Sequence, residues 1–272
     1  MRDELGERMK EQYEHRTRFF VPRRTFTIIR LDGKAFHTYT RNLQKPFDDG
    51  LSEDIDNAIV AMLPEIQGVE FAYTQSDEIS LLLTDFATPN TDAWFDGNIQ
   101  KMCSVSSSLI TAEFNNHRLK RFARWMDLTL EEKLVENTVD TQTLAFFDSR
   151  VFTIPDRIEV MNYFIWRNQD CARNSVSMVA QSLFSHGELQ GKSTAEMQEM
   201  IYQKEGINWA DYDQAKKNGR LIVKEEYTLD IEHETTKWSR IDEVKRTRWV
   251  SKPAWKFTED KDKLLAMIPT YT

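Results

Sequence analysis

The chain has little of what would give a protein away at first sight. Cysteine occurs only twice, at Cys103 and Cys171, and the five histidines are scattered with no Cys or His pair at metal-ligand spacing. That excludes a disulfide scaffold and a zinc site, and it fits a reducing setting. No apolar run approaches the roughly 20 residues of a membrane helix. The opening MRDELGERMKEQYEHRTR carries charge where a signal peptide has its apolar core. The expectation is a cytoplasmic protein with no membrane partner. A surplus of positive charge is missing too, since 36 Lys and Arg face 44 Asp and Glu for a net −8. Any nucleic-acid partner must therefore be held by local patches. Repeats and low-complexity tracts are absent, and 40 % hydrophobic with 29 % charged residues is ordinary globular composition.

Hydrophobic spacing then sets out the elements. Residues 3–20 read as a charged helix with Leu5, Met9, Tyr13 and Phe20 on an apolar stripe. Thr25–Leu31 is β-rich and stops at Asp32-Gly33, and residues 49–63 fit a helix closed by Pro64. Two short strands, Val69–Thr74 and Ile79–Thr84, flank the polar turn Gln75-Ser76-Asp77-Glu78. A helix over Trp94–Asn116 and a strand over Leu144–Ile154 follow. This order, βαββαβ, predicts an α+β protein with a ferredoxin-like sheet. Beyond Pro155 the pattern is largely helical to Lys204 and ends in a stretch rich in Trp, Lys and Arg, read as an extended or hairpin tail. The expected division is a catalytic domain over 1–154 and a helical region with a basic tail over 155–272.

In a βαββαβ sheet the third strand lies between the first and the second, antiparallel to both. The end of the first strand, at Asp32, then falls beside the turn that carries Asp77. Either motif alone is most often only a turn or a solvated hairpin. Their meeting at one sheet edge is what makes them candidates. Two carboxylates on adjacent strand ends suit magnesium, which takes one or two carboxylates together with substrate phosphates and water. Two such ions serve phosphoryl transfer by steadying both the attacking and the leaving oxygen. Gly33 permits close approach of the backbone, and the amides from Lys34 through Ala35 and Phe36 to His37 are placed to cradle phosphate.

Arg30-Leu31-Asp32-Gly33-Lys34-Ala35-Phe36-His37, Lys45-Pro46-Phe47-Asp48, Gln75-Ser76-Asp77-Glu78 and Phe147-Asp148-Ser149-Arg150-Val151 occur in that order. Together they resemble the tRNA-His guanylyltransferase family over about residues 1–225. The resemblance implies a polymerase-type palm that adds nucleotides to a tRNA 5′ end in the 3′–5′ direction. It implies Asp32, Asp77 and the Gly33 carbonyl as holders of two Mg2+ ions, and Glu78 as a third catalytic acid. Lys45, Ser76, Lys101 and Asn174 fall on nucleotide-contacting positions, and His37 lies in the loop that covers the triphosphate. The implied partners are tRNA and GTP, ATP or other nucleoside triphosphates, and the implied assembly is a homotetramer. One departure from the family pattern stands out. Ala172 occupies the place of a histidine in the stretch after Trp166-Arg167, while Asn174 is kept. That resembles the Thg1-like branch, which favours template-directed repair of truncated 5′ ends.

Gly187 to Ser193 looks like a P-loop but has three residues between its glycines instead of four, and no strand before it. Arg118, Lys120, Arg121 and Arg124 interleave with Phe122 and Trp125, which suits phosphate contact with base stacking or, equally, a solvated helix end. The tail cations Lys245 to Lys256 form a second candidate RNA surface. The competing reading is a palm-type nucleotidyl cyclase or signalling-nucleotide synthase, which would use the same two acids on a triphosphate without RNA.

Overall fold

The computed structural model describes residues 3–129, 143–235 and 238–271. In chain order the elements are α1 (Glu4–Met9), β1 (Phe26–Gly33), α2 (Phe36–Tyr39), α3 (Asp49–Met62), β2 (Val69–Gln75), β3 (Glu78–Leu83), α4 (Ile99–Thr129) and β4 (Phe147–Ile154). They continue with α5 (Arg157–Leu183), α6 (His186–Leu189), α7 (Thr194–Glu205), α8 (Gln214–Asn218), β5 (Arg220–Thr235), β6 (Trp238–Pro253) and α9 (Lys261–Met267). All six strands join one antiparallel sheet in the order β4-β1-β3-β2-β5-β6. Among the described residues, no helix is long and apolar enough to cross a membrane.

Strand alternation splits the interior into two cores. Ile29 and Leu31 of β1, with Ile79, Leu81 and Leu83 of β3, face α3 and α4. Phe26 and Ile28, with Phe71, Tyr73 and Leu82, face α5 and α9. Helix α3 presents Ile55, Ala58, Ile59 and Met62 to the first core at helical spacing. The Asp48 side chain starts that helix by accepting from the Leu51 amide at 2.7 Å. Helix α5 is started in the same way by Asp156, which accepts from Ile158 and Glu159. A third, smaller core joins the far half of α5 (Val176, Val179, Ala180) to Leu189 and Ile201.

Two expectations need correcting. Helix α4 begins at Ile99 rather than at Trp94, because Phe95 and Asp96 both adopt left-handed backbone (φ 50° and 54°) that a right-handed helix cannot continue. The Asn98 side chain then accepts from the Lys101 amide and opens the helix. The N-terminal segment keeps only six α-helical residues before tighter and wider turns take over. Its stripe does not pack inward, since Leu5 and Tyr13 are each 61 % exposed and Met9 and Phe20 are exposed as well. The string that spacing ruled out as a P-loop lies, as a separate point, across two helix starts. Ser185 with Glu188 and Ser193 with Glu196 form capping boxes for α6 and α7.

The tail is a hairpin, with β5 and β6 paired from Arg220↔Pro253 to Thr235↔Trp238. Its ladder with β2 runs through Arg220, Leu221 and Ile222, and the Lys224 ammonium adds a bond to the Val69 carbonyl at 3.5 Å.

One ion cluster fastens α3 to α4. Asp54 is 1 % exposed and accepts from Arg118 and from Arg121, whose second nitrogen reaches the exposed Glu53. Removing the acid of a buried cluster strands its cations. Asp54→Ala is expected to lower unfolding free energy by about 3 kcal/mol in urea titrations, whereas Glu53→Ala changes it by well under ~1 kcal/mol.

Candidate active site

The face of the sheet that meets α5 changes character along its length. Phe26, Ile28, Phe71 and Leu82 are buried under the helix. Further along, the same alternation brings Arg30, Asp32, Asp148, Arg150 and Glu78 to that face. Register does this: Arg30 pairs with Arg150 and Asp32 with Asp148 across β1 and β4, while Leu31 lies opposite Ile79 across β1 and β3. Asp77 stands in the two-residue turn between Gln75 and Glu78, which are paired across β2 and β3. The turn is tight enough to hold Ser76 in left-handed backbone at φ 49°. A non-glycine residue there stores local strain, on the order of 1 kcal/mol or more. The expected meeting of Asp32 with the Asp77 turn at one sheet edge is therefore realised.

Electrostatics at this edge oppose full ionisation. Burial raises the Asp32 carboxyl above the usual carboxylate range, with Glu78 and Asp148 adding to it against Arg30 and Arg150. Burial likewise raises Asp77, with smaller contributions from Asp32 and Glu78, against its bonds to Ser76 and its own backbone. Arg150 stands 3.7 Å from both Asp32 and Asp148, too far for a tight hydrogen bond, and is 57 % exposed. A pair of partly desolvated acids whose charges work against each other is what a divalent cation relieves. Among the described residues, no group of three or more His, Cys, Asp or Glu is arranged to hold a metal by itself. The donor set thus fits an ion that completes its shell with phosphate and water, as magnesium does.

Gly33 has a packing reason besides close approach. A Cβ there would lie 2.2 Å from the Phe36 ring, which is buried against Tyr39, Phe114 and Phe147. The loop is thereby folded over the end of β1, with Ala35 at φ 54° leading into α2. The Lys34 amide donates to the Phe146 carbonyl at 2.8 Å, so it is withdrawn from the expected phosphate cradle. Phe36 and His37, at the start of α2, keep amides with no intrahelical acceptor. His37 is exposed, with Nε2 3.0 Å from the Thr38 hydroxyl. Lys45 is exposed as well and donates to the Thr40 carbonyl.

Beside the turn opens a cleft whose walls include Phe47, Asp48, Ser76, Asn174, Lys216 and Arg220. Ser76 and Asn174, 98 positions apart, thus come together. Lys216 pairs with Asp49 at 3.0 Å across the rim, and Arg220 holds both Asp56 oxygens through Nε while its Nη2 is buried without a partner. Cys171 also lines the cleft, but burial pushes its thiol up to about 11, so it remains protonated and unreactive at neutral pH. No spacing in the sequence marks Lys216 or Arg220.

Other expected residues lie elsewhere. Thr111 accepts from the Phe147 amide, and Phe147 pairs with Gly33. Lys101, ten residues earlier on α4, is about 15 Å further down that helix, beside the Phe95 ring. This chain does not bring Lys101 to the Asp32 edge. Of the candidate RNA patch, Arg118 and Arg121 are committed to Asp54, while Lys120 and Arg124 are exposed. In the tail, Arg248 and Lys252 share Glu225, Lys256 holds Glu259, and Lys245 and Arg246 are exposed. The side chains of Trp125 and Trp238 lie outside the described residues.

Comparison with known proteins gives a consistent set of likenesses. The family profile described as tRNAHis guanylyltransferase matches residues 6–155. A bacterial tRNA(His) guanylyltransferase (Thg1)-like protein solved in complex with ATP is 33 % identical, with a TM-score of 0.79, over 98 % of this chain and 100 % of that one. The corresponding complex with GTP is 34 % identical with a TM-score of 0.71 and the same coverage. The tRNA(His) guanylyltransferase of Debaryomyces hansenii is 26 % identical over 81 % of each chain.

The raised carboxyls carry a stability signature. An acid that holds its proton more tightly when folded stabilises the chain fully below the ordinary carboxylate pKa and loses that contribution as pH rises through its folded value. In metal-free protein, Asp77→Asn is expected to melt above the parent at pH 7, with the gap closing towards about pH 4. Equal melting temperatures at both pH values would show that the buried acid carries no such load.

Proposed function

Because the chain belongs to the tRNAHis guanylyltransferase family, and is thus a nucleotidyltransferase acting on tRNA, we propose that Asp32 and Asp77 are its catalytic pair. The observation that carries this reading is their convergence at the one end of the sheet where the α5-facing side turns from apolar to charged. The four-strand order β4-β1-β3-β2, with α3 and α4 packed on one face, supports a ferredoxin-like palm. Residues 1–154 then form the catalytic half. Residues 155–272 supply α5 and α9 on the other face, the far wall of the cleft and the hairpin.

Asp32, Asp77 and the Gly33 carbonyl would hold two magnesium ions, which when bound supply charge neutralisation for phosphoryl transfer. The chain's own groups do the positioning. The cleft takes the nucleotide, with Ser76 and Asn174 orienting it, Phe47 giving an apolar wall and Lys216 giving charge. The covering loop from Ala35 to His37 faces the triphosphate, and exposed Arg150 and Lys45 stand as mobile cations for its oxygens. The incoming 3′-hydroxyl attacks the activated 5′ phosphate of the tRNA, a new phosphodiester forms, and the activating group leaves. With Ala172 in place of histidine, the acceptor-stem base opposite the gap selects the nucleotide, so template-directed 5′-end repair is favoured over dedicated guanylylation. Lys120, Arg124, Lys245 and Arg246 are the outward cations for RNA, and the uncovered N-terminal stripe is consistent with a tetramer of this chain.

The test offers 5′-truncated tRNAs differing in the opposing base, with all four labelled triphosphates and magnesium. Each tRNA is expected to gain, at its 5′ end, the Watson–Crick partner of that base. Guanine added whatever the opposing base would return the protein to dedicated guanylylation, and triphosphate consumed without RNA would favour the cyclase reading. Asp32→Ala or Asp77→Ala should cost more than the ~10²–10³-fold of a single lost donor, with circular dichroism unchanged.

A further inference from the structure

One buried ion cluster has no part in the chemistry above. Glu78 follows Asp77 directly, yet its carboxylate is fully engaged. Arg167 of α5, 4 % exposed, grips it with a two-pronged fork, Nε to Oε1 and Nη2 to Oε2, both at 2.6 Å. Arg30 donates to Oε2 as well, and Gln75 approaches Oε1 at 3.5 Å. Arg167 itself is held on two further sides. Its Nη2 also donates to Asp170 at 2.8 Å, and the guanidinium lies 4.3 Å from the Trp166 ring. Asp170 in turn accepts from Arg173 at 3.0 Å and from Asn174 at 3.4 Å. An unbroken chain of contacts therefore runs from the Asp77 turn to the nucleotide cleft.

We infer that Glu78 and Arg167 are positioning residues, a clamp that holds the Asp77 turn against α5, and that Glu78 does not ligate metal. The inference rests on the reading of Asp32 and Asp77 as the metal-holding pair. Three observations carry it. First, both Glu78 oxygens are committed to guanidinium nitrogens, and the fork is the strong geometry for a buried carboxylate. Second, a dication at Glu78 would sit beside two guanidinium groups that repel it. Third, Arg30 keeps its Nε buried and unpartnered, a loss that the fold accepts to keep that guanidinium on Glu78. The turn itself needs an anchor, because Ser76 is held in left-handed backbone and would relax if the strand ends came apart. The Thr74 hydroxyl, which donates to the Glu78 carbonyl at 3.0 Å, completes that anchor.

The experiment uses Arg167→Lys, Glu78→Gln and the double variant. Mn2+ binding to the nucleotide-free protein is followed by electron paramagnetic resonance, alongside melting temperature and the Mg2+ dependence of nucleotide addition. Lys keeps the charge but loses the fork. Each single variant is expected to weaken Mn2+ binding and raise the Mg2+ requirement by about tenfold, as for partners one step removed from a metal. The double variant should be no worse than the worse single, because both act through one link. If Glu78→Gln weakens Mn2+ binding far more than Arg167→Lys does, Glu78 is a ligand and the inference is overturned. Unchanged Mn2+ binding with a lowered melting temperature makes the clamp merely structural and also overturns it. Should Arg167→Lys fail to fold, Asp170→Asn at the half-buried end of the chain reads the same link. It is expected to weaken Mn2+ binding several-fold, because it frees Arg167 Nη2, and unchanged Mn2+ binding overturns the inference. Asp77→Asn is the separate control. If the parent binds Mn2+ no better than that variant, the metal-pair reading has failed, whatever Arg167 does.

Discussion

The register of β1 between β3 and β4 is the constraint on which the site depends. Side chains alternate with a period of two, so a slip of one residue exchanges the faces of the strand. Asp32 and Arg30 would then point at α3 and α4, and Ile29 and Leu31 at α5. The slip is opposed on both sides at once, because Ile29 and Leu31 are fully buried in one core and Phe26 and Ile28 in the other. Four apolar side chains thereby set the position of one carboxylate. The same register puts Asp148 opposite Asp32 and Arg150 opposite Arg30, so the charged end of the sheet is a by-product of how its apolar end packs.

Charge is handled differently inside and outside this frame. An acidic chain has few cations to spare, and many of them are spent internally. Arg118 and Arg121 neutralise Asp54, Arg220 holds Asp56, and Arg30 and Arg167 hold Glu78. Each of these is an arginine meeting a carboxylate that is at most 15 % exposed. Lysines stay outside, where a hydrated ammonium costs less.

Much of this was legible in the sequence, and the limits have physical causes. Period-two runs around Thr25–Leu31, Val69–Thr74 and Ile79–Thr84 are local signals, and the strand order followed from them, so Asp32 and Asp77 could be brought together on paper. Arg167 could have been found as well. It falls on the stripe formed by Val160, Phe164 and Cys171, and a charge on a buried helical stripe demands a buried partner. Which partner it takes depends on how α5 crosses the sheet, and spacing says nothing of that. The Asp54 cluster escapes the sequence for the same reason, since cations at 118 and 121 look solvated until α3 brings Asp54 under them. The start of α4 was misplaced because the turn signal of Asp96-Gly97 was overrun by apolar spacing, although Phe95, Asp96 and Gly97 all take left-handed backbone.

Helix α5 is a single rod of 27 residues, about 40 Å long. One end lies in the core under the sheet and the other in the small helical core with α7. Arg167 sits near its midpoint. A beam pinned near its centre can rock without moving what is pinned there, but it cannot slide along its own axis without dragging it. Rocking of the helical core about Glu78 therefore leaves the Asp77 turn in place while opening or narrowing the cleft at Asn174. Sliding by even a fraction of a turn would pull Glu78 out of register with Gln75. The pin thus resists displacement along the helix axis more than tilt about it, and tilt is the movement that changes the width of the cleft.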